Sequence, residues 1–326
     1  MPILELCAGY GGLGLAVEAL TGERVRYVAE IDPHVSQILA ARYPDAPNLG
    51  DVQAIDWAAL IGEIDIVTAG FPCQGISNAG RRGGLSDSRS AIWFNVLDAL
   101  RVLRPEFVFL ENVAAIRTRG LAEVLAGLAE IGYDAKWISL RASAVGAPHH
   151  RDRWFCVAVP ADANGEPRFE WRSPTPPETA EENRICGGGG GGGSSQPHAA
   201  TLADEACFLL PHSDRLRRFG RTGPIEDPAG FFESPDGRRS PSAWWGEYLP
   251  AVRRWEELTG RASPPPTERG PRGGIRLTPR WCEWLMGLPA GWVTGIPGLT
   301  RKHQLKALGN GVVPAQAFEA FRRLMS

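Results

Sequence analysis

A lone cysteine follows a proline in Gly70-Phe71-Pro72-Cys73-Gln74, and the triplet Glu111-Asn112-Val113 comes later in the chain. Each motif closes an apolar run: Ile64-Asp65-Ile66-Val67-Thr68-Ala69 before the first, Phe107-Val108-Phe109-Leu110 before the second. Such runs read as strands. Cys73 then stands as a nucleophile at one strand's C-terminal edge, and Glu111 as its acidic partner on the neighbouring strand. A thiolate that adds to a substrate, beside a carboxylic acid that donates a proton, is covalent acid-assisted chemistry.

A second constellation opens the chain. Glu5-Leu6-Cys7-Ala8-Gly9-Tyr10-Gly11-Gly12-Leu13-Gly14 reads as strand, glycine turn and helix start. Glycines let backbone approach a ligand closely, and the helix N-terminus offers free N–H groups. Glu30 ends the next strand-like segment, where a carboxylate can hold both hydroxyls of a ribose. Asp51, in Gly50-Asp51-Val52, could accept from an adenine amino group. The turn lacks the lysine of a phosphate-binding loop. An adenosine-bearing cofactor without a long phosphate chain fits better.

These residues need a sheet to bring them together. Strands are expected at Ile3–Leu6, Val25–Glu30, Ile64–Ala69, Phe107–Leu110, Ala135–Leu140 and Phe155–Val159. Helical periodicity runs through Leu13–Leu20, Val35–Tyr43, Ile92–Leu103 and Leu121–Ile131. The alternation implies an α/β fold, a parallel sheet covered on both faces, with ligands beyond the carboxyl ends of its strands. From about Ala161 the pattern dissolves into Pro, Glu and Gly, with seven consecutive glycines at Gly187–Gly193, a flexible stretch taken here as 187–195. Residues 205–275 hold aromatics with little periodicity and suggest a smaller, loop-rich domain.

The 326 residues suffice for a sizeable core and a second small domain. No apolar run approaches the ~20 residues of a membrane helix. The first residues enter a strand directly, so neither a signal peptide nor a membrane association is expected, and the location expected is cytoplasmic. Six cysteines are scattered without a Cys-x-x-Cys pair, which argues against a zinc site or a disulfide framework. The net charge of −2 conceals an asymmetry. Residues 1–160 carry 14 Lys/Arg against 18 Asp/Glu, and residues 211–326 carry 18 against 11. A basic half, almost all arginine, suggests a polyanionic partner.

Taken in order, the glycine turn, Gly-Phe-Pro-Cys-Gln, Glu-Asn-Val, Arg-x-Arg (Arg151 and Arg153), Leu277-Thr278-Pro279-Arg280 and Gly309-Asn310-Gly311-Val312-Val313-Pro314 resemble the DNA cytosine-5 methyltransferase family. The resemblance covers residues 1–160 and roughly 273–326. It implies a Rossmann-like S-adenosylmethionine-dependent sheet with a smaller, loop-rich target-recognition domain. The catalytic domain would comprise 1–160 plus 301–326, the recognition domain 161–275, and a supporting hinge 276–300.

The resemblance implies that Cys73 adds to C6 of a flipped cytosine, with Gln74 beside it, while Glu111 binds N3 and the amino group. Arg153 would contact the base carbonyl, with Arg151 as a supporting arginine near the cysteine. The family usually has glutamine where His149 stands. Leu6, Cys7, Ala8, Gly9, Gly11, Gly12, Leu13, Glu30, Ile31, Asp51, Val52, Gly70, Pro72, Ile92, Asn310 and Val312 would line the S-adenosylmethionine site. The family often has phenylalanine at the position of Cys7. In the family the loop 75–89 closes over DNA, which makes Ser77, Arg81, Arg82 and Arg89 candidate contacts. The implied partner is double-stranded DNA, with no metal and a monomeric enzyme. An RNA cytosine-5 methyltransferase and a catalytically silent DNA-binding protein share parts of this pattern; intact Cys73, Glu111, Arg153 and Asn310 argue against the silent form.

Overall fold

The computed structural model describes residues 1–72, 91–161 and 245–326. Cys73, Gln74, Ser77, Arg81, Arg82, Arg89 and the glycine run lie outside the described residues. Within them one six-stranded sheet is built from β1 (Ile3–Leu6), β2 (Val25–Ala29), β3 (Ile66–Gly70), β4 (Phe107–Val113), β5 (Tyr133–Arg141) and β6 (Asp152–Pro160). The strand order is β2-β1-β3-β4-β6-β5. β1 pairs in parallel with both β2 and β3, and β3 pairs in parallel with β4. The order therefore reverses beside β1, which opens a crevice at the carboxyl ends of β1 and β3.

The sheet departs from the all-parallel expectation at one strand. β6 runs antiparallel to both of its neighbours, β4 and β5. Only residues 142–151 join β5 to β6, with a single 3-10 turn at Ala142–Val145. A parallel return needs a crossover of about a dozen residues or more, so this link can only make a hairpin. The reversal sets Arg153 opposite Val113 and Phe155 opposite Glu111.

The helices are α1 (Gly12–Thr21), α2 (Pro33–Arg42), α3 (Ala91–Leu103), α4 (Ile116–Arg119), α5 (Leu121–Glu130), α6 (Leu249–Thr259), α7 (Pro279–Leu285), α8 (Arg301–Asn310) and α9 (Pro314–Met325). A short hairpin, β7 (Thr267–Arg269) with β8 (Ile275–Leu277), precedes α7. Side chains alternate across the sheet as the pleat dictates. Ile3, Ile66, Phe107 and Phe109 face one core, shared with α1 and α9, while Leu4, Val67, Val108 and Leu110 face a second, shared with α3 and α5. The first core also takes in Val252, Trp255, Trp284, Trp292 and Phe321, so residues near the C-terminus pack with the first strands. Phe321 of α9 meets Phe109 and Phe155 edge-on, with ring centroids 4.9 and 5.6 Å apart.

Local chemistry sets the helix that follows β2. Asp32 caps α2 by accepting from the N–H groups of His34 (2.9 Å) and Val35 (3.3 Å), with Pro33 at the first helical position. Lys306 of α8 reaches back to Asp32 at 2.7 Å. Among the described residues, no helix is long and apolar enough to cross a membrane.

Candidate active site

β3 and β4 lie in register with Gly70 opposite Glu111. β4 continues past the expected end at Leu110, so Glu111 and Asn112 are the strand's own last buried residues. A Cβ added at Gly70 would lie 3.6 Å from Glu111 Oε2. The Asn112 amide donates to Phe71 O at 2.8 Å and so ties the end of β4 to the segment leaving β3. Phe71 is packed on Trp93 of α3, with centroids 4.9 Å apart. Cys73 follows Pro72 directly in the sequence, beyond the described residues.

Arg153 of β6 places its Nε 3.0 Å from Glu111 Oε1, with both side chains largely buried. Its Nη1 donates to Asp152 O at 2.9 Å. Burial pushes the Glu111 carboxyl up to about 7, against the lowering influence of Arg153 and Arg151. A carboxyl in this state can hold a proton at neutral pH and release it. The two arginines of the Arg-x-Arg pair face different tasks. Arg151, held at φ +23°, donates from Nη2 to Gly309 O at 3.2 Å and to Gly311 O. Its guanidinium thus grips the segment around Asn310. His149 lies with Nε2 2.9 Å from Leu285 O at the end of α7, and burial lowers its pKa.

The described cysteines are poorly suited to nucleophilic work. Burial, with Glu30 and Asp51 nearby, pushes the Cys7 thiol up to about 12. Burial also raises Cys156, with Asp134 adding to it, and raises Cys282 against the influence of Arg301. All three stay protonated thiols near neutrality, and a thiol attacks as its thiolate.

The glycine turn leaves β1 at the crevice. Cys7 adopts φ +52°, and Gly9 and Gly11 also have positive φ. Glu30 braces the turn, accepting from Gly9 N at 2.9 Å and from Asp32 N at 2.8 Å. The glycines serve two purposes. A Cβ at Gly9 would meet nothing within 4 Å, whereas one at Gly11 would overlap the Tyr43 ring, whose hydroxyl donates to Gly11 O at 3.0 Å. Asp51 accepts from Gln53 N at 3.0 Å. Ile31 is 71% exposed beside Glu30, while Leu6, Ala8, Gly12, Leu13 and Val312 are buried around the turn, Val52 is buried in the second core, and Ile92 is partly buried against that core. Asn310 is exposed at the end of α8. Sequence reasoning gave no role to Glu5, which lies beneath the turn and accepts from Gly14 N at 2.9 Å. Its burial in a strand was legible only from its place among apolar neighbours.

Comparison with known proteins gives a consistent picture. The chain is 35% identical over 183 residues to the Type II methyltransferase M.CviJI of Paramecium bursaria Chlorella virus IL3A, which covers 53% of this chain and 49% of that protein. It is 35% identical over 161 residues to M.HpaII of Haemophilus parainfluenzae, covering 47% of this chain and 44% of that one. The chain thus spans about half the length of these relatives. Its fold resembles the Dnmt2 methyltransferase of S. pombe, with TM-score 0.59 at 18% identity over 98% of this chain and 97% of that one. A putative DNA modification methyltransferase from an E. coli prophage matches with TM-score 0.50 at 21% identity, over 100% and 99% of the two chains. Residues 1–187, more than half of the chain, match the model of one family, and the protein belongs to it: the C-5 cytosine-specific DNA methylases.

Proposed function

We propose that the protein transfers a methyl group from S-adenosylmethionine to C5 of a cytosine flipped out of duplex DNA. The observation that carries this reading is Glu111: a buried carboxyl with a pKa near 7, paired to Arg153, at the rim where β3 leads through Pro72 to Cys73. Cytosine C5 is a poor nucleophile. Cys73 thiolate adds to C6 while Glu111, protonated, donates to N3, and the ring becomes an enamine with a nucleophilic C5. Arg153, set against Glu111, would hold the base carbonyl. C5 would then take the methyl group as its bond to the sulfonium sulfur breaks and the neutral thioether leaves. The C5 proton would pass to water, N3 would return its proton to Glu111, and the Cys73 thiolate would be expelled, which restores the ring.

The residues at the crevice fit the cofactor. Glu30 is fixed by two backbone N–H groups with lone pairs left to accept from a ribose diol, and the space beside Gly9 is open. Glu30 and Asp51 both lie near Cys7, an acidic setting that suits a cationic sulfonium nucleoside better than a phosphate chain. When bound, S-adenosylmethionine supplies an electrophilic methyl group. Leu6, Cys7, Ala8, Gly9, Gly11, Gly12 and Leu13 would present the turn to it. Ile31, Asp51, Val52 and Ile92 would flank the adenine, and Gly70, Pro72, Asn310 and Val312 would close the methionine end.

A duplex hides its bases, and extruding one costs a few kcal/mol. Ser77, Arg81, Arg82 and Arg89 would offset that cost through DNA contacts, with Gln74 placing Cys73. The segment 161–275 would read the target, supported by 276–300, against a catalytic unit formed by 1–160 and 301–326.

The test uses duplex DNA, transfer RNA and tritiated S-adenosylmethionine. Transfer to duplex DNA, lost in Cys73→Ala with cofactor binding retained, is expected. DNA bearing 5-fluorocytosine should trap a covalent adduct, because fluorine at C5 blocks the final elimination. Transfer to transfer RNA alone, or undiminished methylation by Cys73→Ala, would overturn the reading.

A further inference from the structure

The glycine turn is held from the far end of the chain. Trp292 Nε1 donates to Tyr10 O at 2.9 Å, and the Tyr10 hydroxyl donates to Val312 O at 2.6 Å. Tyr10 sits between Gly9 and Gly11 and is fully buried. Its ring occupies the space that side chains at two glycines would need. A Cβ at Gly12 would lie 2.7 Å from Tyr10 Cε2, and one at Gly311 would overlap the ring.

Both ends of this link are themselves fixed. Trp292 meets Tyr43 edge-on with centroids 6.2 Å apart, and the Arg42 guanidinium stands 5.3 Å over its ring. Buried Glu283 accepts from the N–H groups of Gly291 (2.8 Å), Val293 (2.6 Å) and Thr294 (2.9 Å), which sets the loop that carries the indole. At the other end, Arg151 grips the carbonyls of Gly309 and Gly311 on either side of Asn310.

We infer that Tyr10 is a positioning residue for the cofactor site: its hydroxyl locks the turn after β1 to the Gly309–Val312 segment, while Trp292 anchors its backbone. The two chain segments that flank the crevice then form one preorganised wall. Tyr10 acts through the backbone it holds, since its ring is buried and its hydroxyl is engaged by Val312. This rests on the S-adenosylmethionine reading above.

The test is calorimetric titration of the full chain with S-adenosylhomocysteine, alongside steady-state transfer to DNA. Tyr10→Phe keeps the ring and deletes only the hydroxyl, which leaves the Val312 carbonyl without its donor. The dissociation constant should rise about tenfold, a magnitude typical of one unmade buried hydrogen bond. KM for S-adenosylmethionine should follow it, while kcat at saturation stays within about twofold, because preorganisation is lost in binding rather than in the chemical step. Trp292→Phe should move affinity in the same direction, and the double variant should lose less than the product of the two, as members of one network do.

Tyr133→Phe is the control. It deletes a similar buried bond, Tyr133 hydroxyl to Pro105 O at 2.7 Å, on β5. It should lower the melting temperature like Tyr10→Phe yet leave affinity unchanged. Unchanged affinity in Tyr10→Phe, or an equal loss in Tyr133→Phe, would overturn the inference. A wild-type chain that binds no S-adenosylhomocysteine would overturn the cofactor reading itself, a separate and recognisable result.

Discussion

In the proposed reaction Glu111 would act as an acid only while its proton is available near neutral pH, and opposing influences set that range. Burial raises its pKa to about 7, and the guanidinium groups of Arg153 and Arg151 lower it. Removing Arg153 deletes a lowering influence, so the carboxyl must rise further. In Arg153→Ala, carbon NMR of labelled Glu111 should titrate above 7, and the alkaline limb of the transfer rate should move to higher pH with it. An unchanged titration would mean that the ion pair contributes nothing to the acid's strength. Glu111→Gln keeps the shape and removes the transferable proton. Its transfer rate should fall about 10²- to 10⁴-fold, the usual range for a lost general acid, while cofactor affinity persists. The place of Glu111 at a strand's end was legible in the sequence because it closes an apolar run. The partnerships were less so. Arg151 and Arg153 are alike in sequence, but the strand reversal hands one to Glu111 and the other to Gly309 and Gly311.

The elements were legible to the extent that their patterns are local. The strand starting at Ile3 and the helix starting at Leu121 emerge close to where periodicity places them, since alternation and the 3.6-residue period are properties of short windows. Strand direction is not a local property. Nothing within Phe155–Val159 marks β6 as antiparallel; the brevity of residues 142–151 does, once both flanking strands are recognised. Long-range clasps were equally hidden, because no sequence window contains both partners. Gln316 of α9 is one such clasp. Fully buried, its amide donates to Leu140 O on β5 and to Arg151 O just before β6, both at 2.8 Å. Gln316→Leu fills similar volume but takes the amide donor from both carbonyls: buried Leu140 O loses it, and Arg151 O keeps only the Ala142 N–H at 3.4 Å. At about 1–3 kcal/mol per unmet group, the variant should unfold several degrees lower in a thermal scan. It should also weaken transfer, because the clasp seats β6, which carries Arg153 and follows directly on Arg151. Unaltered stability would show that water or a neighbour replaces the amide.

At the scale of the whole molecule, ionisation of buried carboxyls sets how stability follows pH. Glu5, 1% exposed under the glycine turn, is pushed up to about 8 by burial and by Glu18, against the hydrogen bonds from Gly14 and Leu13. In the unfolded chain such a group titrates near 4.5. Between these values the folded form binds more protons than the unfolded form, so stability falls as pH rises. Glu111, raised to about 7, acts in the same sense over a narrower range. The opposite limb belongs to other groups. Asp32 is lowered by Lys306, and Glu319 is lowered by Arg322 and Arg323 despite its burial, so both lose their contribution as pH falls. His149 and His303, both lowered mainly by desolvation, also oppose acid. Above the ordinary histidine range, Glu5 and Glu111 therefore govern the slope among the described residues. From pH 6.5 to 8, ionising Glu5 alone should remove about 2 kcal/mol. Glu5→Gln cannot ionise and still accepts from Gly14 N. Urea unfolding at several pH values should show the wild type weakening across this window and the variant holding a flatter course. If both decline in parallel, the strain of carrying charge beneath the turn lies elsewhere than at Glu5.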